Sequence, residues 1–252
     1  MPHLLDGARA LVTGAGRGIG TQIARHLADE GARVAFAYRH SKEGAEAAAE
    51  AVRANGGVAA TFQADLTNQD EVRRLVDETV NFLGGLDILV NNAAGFGSPK
   101  RLDESDWDDL EAEWRAVVRP VFVLTRAALP HLTKSERGGR IVNLAATLLQ
   151  RPAPGYGAHA MAKAAVLAFT RTLAREVGPQ NVTVNAVSPG MTLTEFSQSL
   201  PDEEKKAVAG RTPLRRLATP DDVADAVVFF CSPLAGFVTG ANLAPDGGLA
   251  VL

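Results

Sequence analysis

Short, almost wholly apolar runs alternate along this chain with longer stretches in which apolar residues recur every three or four positions, the spacing of one helix face. The short runs at 9–13, 33–38, 58–63, 86–90, 140–144, 182–187 and 242–244 predict strands. The longer stretches at 19–30, 42–54, 69–83, 106–132, 156–177 and 221–231 predict helices, the first of them ended by Gly31. Runs as apolar as 86–90 suit strands buried on both faces of a parallel sheet. The order of elements is βαβαβ twice over, which predicts an α/β protein built on a doubly wound parallel sheet. With no internal repeat, no Pro/Ser-rich linker and no block of like charge, residues 1–252 read as a single domain.

Composition narrows the functional classes. The 252 residues carry 26 basic and 29 acidic side chains, for a net charge of −3, with 46% hydrophobic and 22% charged positions. These are ordinary values for a folded domain, and they lack the basic excess of a nucleic-acid binder. A single cysteine, Cys231, excludes an internal disulfide framework and a Cys-based zinc site. His3, His26, His40 and His131 show no ligand spacing, so no metal is expected. The opening residues lack a secretory apolar segment, and the longest uncharged stretch, 226–245, is broken by Ser232, Pro233, Gly236, Gly240 and Asn242. The expectation is a soluble cytoplasmic protein without nucleic-acid or membrane partners.

Where the first strand turns into the first helix stands Thr13-Gly14-Ala15-Gly16-Arg17-Gly18-Ile19-Gly20. Glycines there let the backbone approach a pyrophosphate, and the helix N-terminus offers unpaired N–H groups and a positive dipole end. Further along come Asp65-Leu66 after the third strand, Asn91-Asn92-Ala93-Ala94-Gly95 after the fourth, Ser188-Pro189-Gly190 with Thr194 after the sixth, and Asp246-Gly247-Gly248 near the end. In this order, the five segments resemble the short-chain dehydrogenase/reductase family over almost the whole chain. The resemblance implies a Rossmann fold. It also implies a dinucleotide held by Gly14, Arg17, Gly18, Ile19, Gly20, Asp65, Leu66, Asn92, Lys163, Pro189, Gly190 and Thr194. Asp65 would contact the adenine, and the loop from Ser188 to Thr194 would border the nicotinamide.

The second strand ends in Ala37-Tyr38-Arg39-His40-Ser41, without the acid that binds a ribose 2′-hydroxyl in NAD-preferring sites. Arg17 and Arg39 instead suit a 2′-phosphate, because a guanidinium matches phosphate oxygens. The expected cofactor is NADP(H).

The catalytic pattern departs from the resembled family, whose usual group is Asn, Ser, Tyr and Lys. The lysine is Lys163, but four residues before it stands His159 in place of tyrosine, and the serine position is Ala146. Counted from either side, the asparagine position is Val117 or Trp114, and Thr147 is the nearest hydroxyl to Ala146. Tyr156 lies seven residues before Lys163, about 700° of helix, so the two share a face with His159 nearby. This Tyr-x6-Lys spacing resembles the enoyl-thioester reductase branch of the same family. It implies NADPH-dependent reduction of an enoyl thioester or other conjugated enone, with Tyr156 bonded to the developing enolate oxygen and Lys163 on the nicotinamide ribose. Two alternatives stay open: an atypical carbonyl (3-oxoacyl) reductase in which His159 donates the proton, and a cofactor-binding scaffold without redox turnover. The field of Lys163 favours a neutral imidazole at His159. Most of the acids Asp106, Asp108, Asp109, Glu111 and Glu113 read as solvated capping and first-turn residues of a helix start. The substrate is expected to be a small molecule or acyl thioester, and the apolar surplus on the helices at 106–132 and 156–177 together with the resemblance implies a homotetramer. The loop at 192–210, apolar at first and charged from Asp202 to Lys206, is expected to cover the pocket.

Overall fold

The computed structural model describes residues 3–93 and 99–250. In chain order the elements are β1 (Arg9–Thr13), α1 (Gly18–Asp29), β2 (Arg33–Tyr38), α2 (Lys42–Ala54), β3 (Ala59–Gln63), α3 (Gln69–Leu83), β4 (Ile88–Asn91), α4 (Trp107–Glu113), α5 (Arg119–Leu132) and β5 (Gly139–Leu144). Then follow α6 (Gly157–Val177), β6 (Val182–Val187), α7 (Glu195–Gln198), α8 (Asp202–Arg211), α9 (Pro220–Cys231) and β7 (Asn242–Leu243). The strands form one parallel sheet in the order β3-β2-β1-β4-β5-β6-β7. This is the doubly wound Rossmann arrangement that the alternation predicts, and its order reverses between β1 and β4, where such sheets bind ligands.

Side chains alternate across the sheet, as the two-residue repeat of a strand requires. Val12, Phe36, Val90 and Val142 pack with α1, α2 and α9, whereas Leu11, Leu89, Ile141 and Val184 pack with α3, α5 and α6. At the base of the sheet Asp87, just before β4, accepts two bonds from the Arg9 guanidinium at 2.8 and 2.7 Å and one from Ser135 Oγ at 2.6 Å. This pair ties β1, β4 and the approach to β5 together.

Three expected elements differ from what forms. The helix expected over 106–132 is broken: α4 passes into a π-helical turn, Trp114–Val118, before α5 resumes. A π turn carries one more residue per hydrogen-bonded loop, so it rotates the residues on either side relative to each other. Tyr156 caps the sixth helix rather than beginning it. The covering loop at 192–210 contains α7 and α8, whose apolar residues show too little periodicity to announce a helix. Among the described residues no helix is long and apolar enough to cross a membrane.

Candidate active site

The glycine turn joins β1 to α1. Gly14 and Gly18 adopt left-handed backbone, with φ of 64° and 55°, which a side chain would strain. A Cβ on Gly20 would collide with the Gly14 carbonyl and the Asn92 amide. Ile19 packs against the core below. The N-terminus of α1 has Arg17 as its cap residue, no side-chain cap and no acid in its first turn. By contrast, α3 is capped by the Asn68 side chain and α9 by Thr219. The first N–H groups of α1 are therefore left for an anion, a fit to a dinucleotide pyrophosphate. Asn92 supports this turn from β4: its Nδ2 donates to the Thr13 carbonyl at 2.8 Å, and its backbone N–H donates to Thr13 Oγ1 at 3.1 Å. Ala94 and Gly95, the end of the segment singled out after β4, lie outside the described residues.

Beyond the ends of β2 and β3 lies an open cleft lined by Arg39, His40, Gln63, Asp65, Glu71 and Arg74. The guanidinium of Arg39 meets Asp65 at 2.8 Å, and the other Asp65 oxygen accepts from the Thr67 N–H and hydroxyl. Partial burial pushes the Asp65 carboxyl up, but the Thr67 bonds and the charges of Arg39 and His40 outweigh it and hold the group below the usual carboxylate range. Leu66 packs partly buried against the core beside Asp65. Arg17 is exposed at the start of α1.

On the other side of the switch point, Lys163 is buried on α6 and donates from Nζ to the Leu144 carbonyl, the last of β5, at 2.7 Å. Burial pulls its ammonium down to about 8, against the opposing pull of the Glu113 charge. One turn earlier His159 is buried, its Nδ1 lying 3.1 Å from Oε2 of Glu113. Tyr156, half-buried, sits at the N-cap of the same helix. Ala146 leaves no hydroxyl at its position. Thr147 does not replace it: its Oγ1 donates to the Pro189 carbonyl at 3.2 Å. Of the two counts for the missing asparagine, Trp114 is exposed and Val117 is buried against Ala162 and Val166. Pro189 and Gly190 follow β6, with Gly190 pressed against Asp246. Thr194 and Glu195 lie against Gly18, so this loop closes over the phosphate turn.

Glu113 corrects the reading of the acids at 106–113. Asp106 and Asp109 do form a capping box, but Glu113 is only 8% exposed and turns inward. The sequence carried a signal for this: Leu110, Glu113 and Val117 are spaced three and four apart, so Glu113 lies on the apolar stripe of its helix. Its carboxylate is a negative group beside His159 that the argument from the positive fields of Lys163 and the helix N-terminus left out. Among the described residues no group of three or more His, Cys, Asp or Glu side chains is disposed to hold a metal.

The family model described as enoyl-(acyl carrier protein) reductase matches residues 14–250. The 3-oxoacyl-[acyl-carrier-protein] reductase FabG of Staphylococcus aureus is 37% identical over 243 residues, covering 95% of this chain and 97% of the relative. A short-chain dehydrogenase from Burkholderia cenocepacia, solved in complex with NADP, superposes with a TM-score of 0.90 at 40% identity, covering 98% of this chain and 99% of that one. A short-chain dehydrogenase/reductase from Serratia marcescens gives 0.92 at 37% identity, covering 99% and 100%. With the doubly wound sheet, the glycine turn and the buried lysine in place, the chain belongs to the short-chain dehydrogenase/reductase family of oxidoreductases.

Proposed function

We propose that this protein is an NADPH-dependent carbonyl reductase acting on 3-oxoacyl thioesters or related ketones, with His159 as the proton-exchanging group. The observation that carries this reading is the buried imidazole one turn from Lys163 with a carboxylate against its Nδ1, the kind of contact that sets which ring nitrogen carries the proton. The relatives that are 3-oxoacyl reductases and the neighbour solved with NADP support it. NADPH, when bound, would supply the hydride for the new carbon–hydrogen bond. Arg39, and Arg17 across the turn, receive the 2′-phosphate, while the uncapped start of α1 and the turn from Gly14 to Gly20 receive the pyrophosphate. Lys163 bonds the nicotinamide ribose and holds positive charge near the oxygen on which negative charge develops. His159 gives its Nε2 proton to that oxygen, completing the alcohol, and recovers a proton from solvent.

Enoyl reduction is the second reading. Tyr156 sits a turn before His159 on the same helix start, and the matching family model carries the enoyl reductase description. There Tyr156 would hydrogen-bond an enolate oxygen. A single assay separates the two: NADPH consumption with acetoacetyl and with crotonyl thioesters. Turnover of the acetoacetyl substrate is expected; turnover of crotonyl alone selects Tyr156 and the enoyl reaction. NADPH binding without consumption of either selects the scaffold.

Assembly as a homotetramer belongs to the same proposal. Trp107, Trp114, Phe122 and Met161 are exposed on α4, the π turn, α5 and α6, and Leu234 and Phe237 near the C-terminal end. Together they make more apolar surface than a lone chain usually leaves in water. Light scattering at micromolar concentration is expected to give four times the chain mass, and a monomer overturns it.

A further inference from the structure

A carboxylate taken out of water costs several kcal/mol unless charge and hydrogen bonds compensate it. Glu113 is buried at the last position of α4, where the chain enters the π turn. Its Oε2 lies against His159 Nδ1, and its charge acts on Lys163, one turn beyond His159 on α6. With Glu113 ionised, Nδ1 donates in this bond and Glu113 accepts. That arrangement leaves Nε2 as the second, chemically distinct nitrogen of the ring. The other charged groups of α4 and the π turn are occupied or on the surface: Asp106 and Asp109 form the capping box, Asp109 also meets Lys100, Asp108 is exposed, and Glu111 meets Arg115. Lys163 and Tyr156 are the titratable groups of α6 itself on this face, and the ends of β5 and β6 nearest to it, Leu144 and Val187, bring none. Arg140 stands at the opposite end of β5.

We propose that Glu113 is the positioning residue of this site. It holds the imidazole of His159 through Nδ1–H and presents Nε2 to the substrate oxygen. This rests on the carbonyl-reductase reading above. His159 and Lys163 lie one turn apart on α6, and Glu113 is the acid that acts on both. With it the three groups carry a net charge of one when both bases are protonated. After the proton has passed to the substrate, His159 is neutral with Nδ1–H still on Glu113, ready to take up a proton at Nε2.

The test combines ring-nitrogen NMR of histidine-labelled protein with steady-state kinetics on wild type, Glu113→Gln, Glu113→Asp and His159→Gln. The wild-type spectrum is expected to show His159 protonated at Nδ1. Glu113→Gln should displace that signal and lower kcat for acetoacetyl thioester about 10²–10⁴-fold, the range for losing the carboxylate behind a catalytic histidine. KM and NADPH affinity should stay within about threefold. The pH at which activity falls on the alkaline side should move down by about one unit or more, because an opposite charge has been removed from the imidazole. Glu113→Asp, retaining the charge, should recover most of the loss and guards against a variant that merely folds badly. Wild-type rates and pH profile in Glu113→Gln, with His159→Gln inactive, overturn the role of Glu113 while leaving His159 in place. A His159→Gln enzyme that still turns over acetoacetyl thioester overturns the carbonyl-reductase chemistry and the positioning role with it, whatever the spectra show.

Discussion

Arg39 and Asp65 are locked together across 2.8 Å just beyond the ends of β2 and β3. In the sequence they serve opposite ends of the adenosine, one as phosphate partner and the other as adenine contact; in the fold one orients the other. Asp65 is itself clamped by Thr67, so the guanidinium is held at the cleft with donors to spare, since it carries five. Arg39→Asp removes the phosphate partner and places a second acid beside Asp65. NADPH affinity is expected to fall about 10- to 100-fold, the worth of a charge-assisted hydrogen bond, while NADH affinity changes much less. Titration calorimetry with both cofactors checks this, and parallel losses for the two would place the phosphate elsewhere.

Lys163 is costly to keep. Its ammonium is held by the single carbonyl of Leu144, and burial pulls it from 10.5 down to about 8. Below pH 8 the lysine is charged in both folded and unfolded chains, so the folded state bears the whole cost of burying the charge, about 3 kcal/mol. As the pH rises from 8 towards 10.5 the folded protein releases its proton first, the unfolded chain binds more, and stability rises. Lys163→Met is therefore expected to stabilise the cofactor-free protein at pH 7, by about 2 kcal/mol once the lost bond to Leu144 is subtracted. That gain shrinks towards pH 10.5, and turnover is lost throughout. Urea denaturation at several pH values gives the comparison; a variant less stable than wild type at neutral pH would show that the ammonium is well compensated.

Asp87 has the opposite sign. Burial pushes its carboxyl up, but the two guanidinium bonds and backbone N–H of Arg9 and the Ser135 hydroxyl outweigh it and hold the group below the usual carboxylate range. Its contribution is present above the unfolded value near pH 4 and is lost as acid takes the folded group through its lower one. Asp87→Asn leaves Arg9 partly buried without its counter-charge. It is expected to cost about 3 kcal/mol or more at neutral pH, and roughly 10 °C in Tm for a chain of this size. The difference from wild type should close as the pH drops below about 4. A melting curve unchanged by the substitution at pH 7 would remove Arg9–Asp87 from the list of what holds the sheet together.

The doubly wound sheet was legible because each strand is a short apolar run and each helix a longer amphipathic one, and the parallel order follows from that alternation. The nucleotide half of the site was legible for a related reason: glycines at a strand-to-helix turn have few other uses. What escaped depends on rotation and long-range pairing. The π turn at Trp114–Val118 leaves no gap in the apolar pattern of 106–132, so one helix was expected where two are joined out of phase. Glu113 was masked by four neighbouring acids that are surface residues, and its partner His159 lies 46 positions away. Ion pairs at such separations become visible only once the topology lays α4 on α6. The pairing of Arg39 with Asp65 was hidden in the same way, by a whole βα unit between them.

The two candidate proton donors can be ranked by substitution. If His159 delivers the proton to a carbonyl oxygen, His159→Gln should lower kcat with acetoacetyl thioester by about 10²- to 10⁴-fold, the usual share of a positioned general acid. Tyr156→Phe should then cost less than about tenfold, because Tyr156 stands at the N-cap a turn away from the buried pair. Activity should also decline as the pH rises through the titration of the imidazole, since only its protonated form can donate. If the reaction is enoyl reduction, the ranking reverses: the phenol carries the enolate oxygen, its loss costs about 10²- to 10³-fold, and the substrate consumed is crotonyl thioester. NADPH affinity measured on both variants keeps a lost cofactor from imitating lost chemistry. The first outcome is the expected one, because Glu113 lies directly against His159 Nδ1.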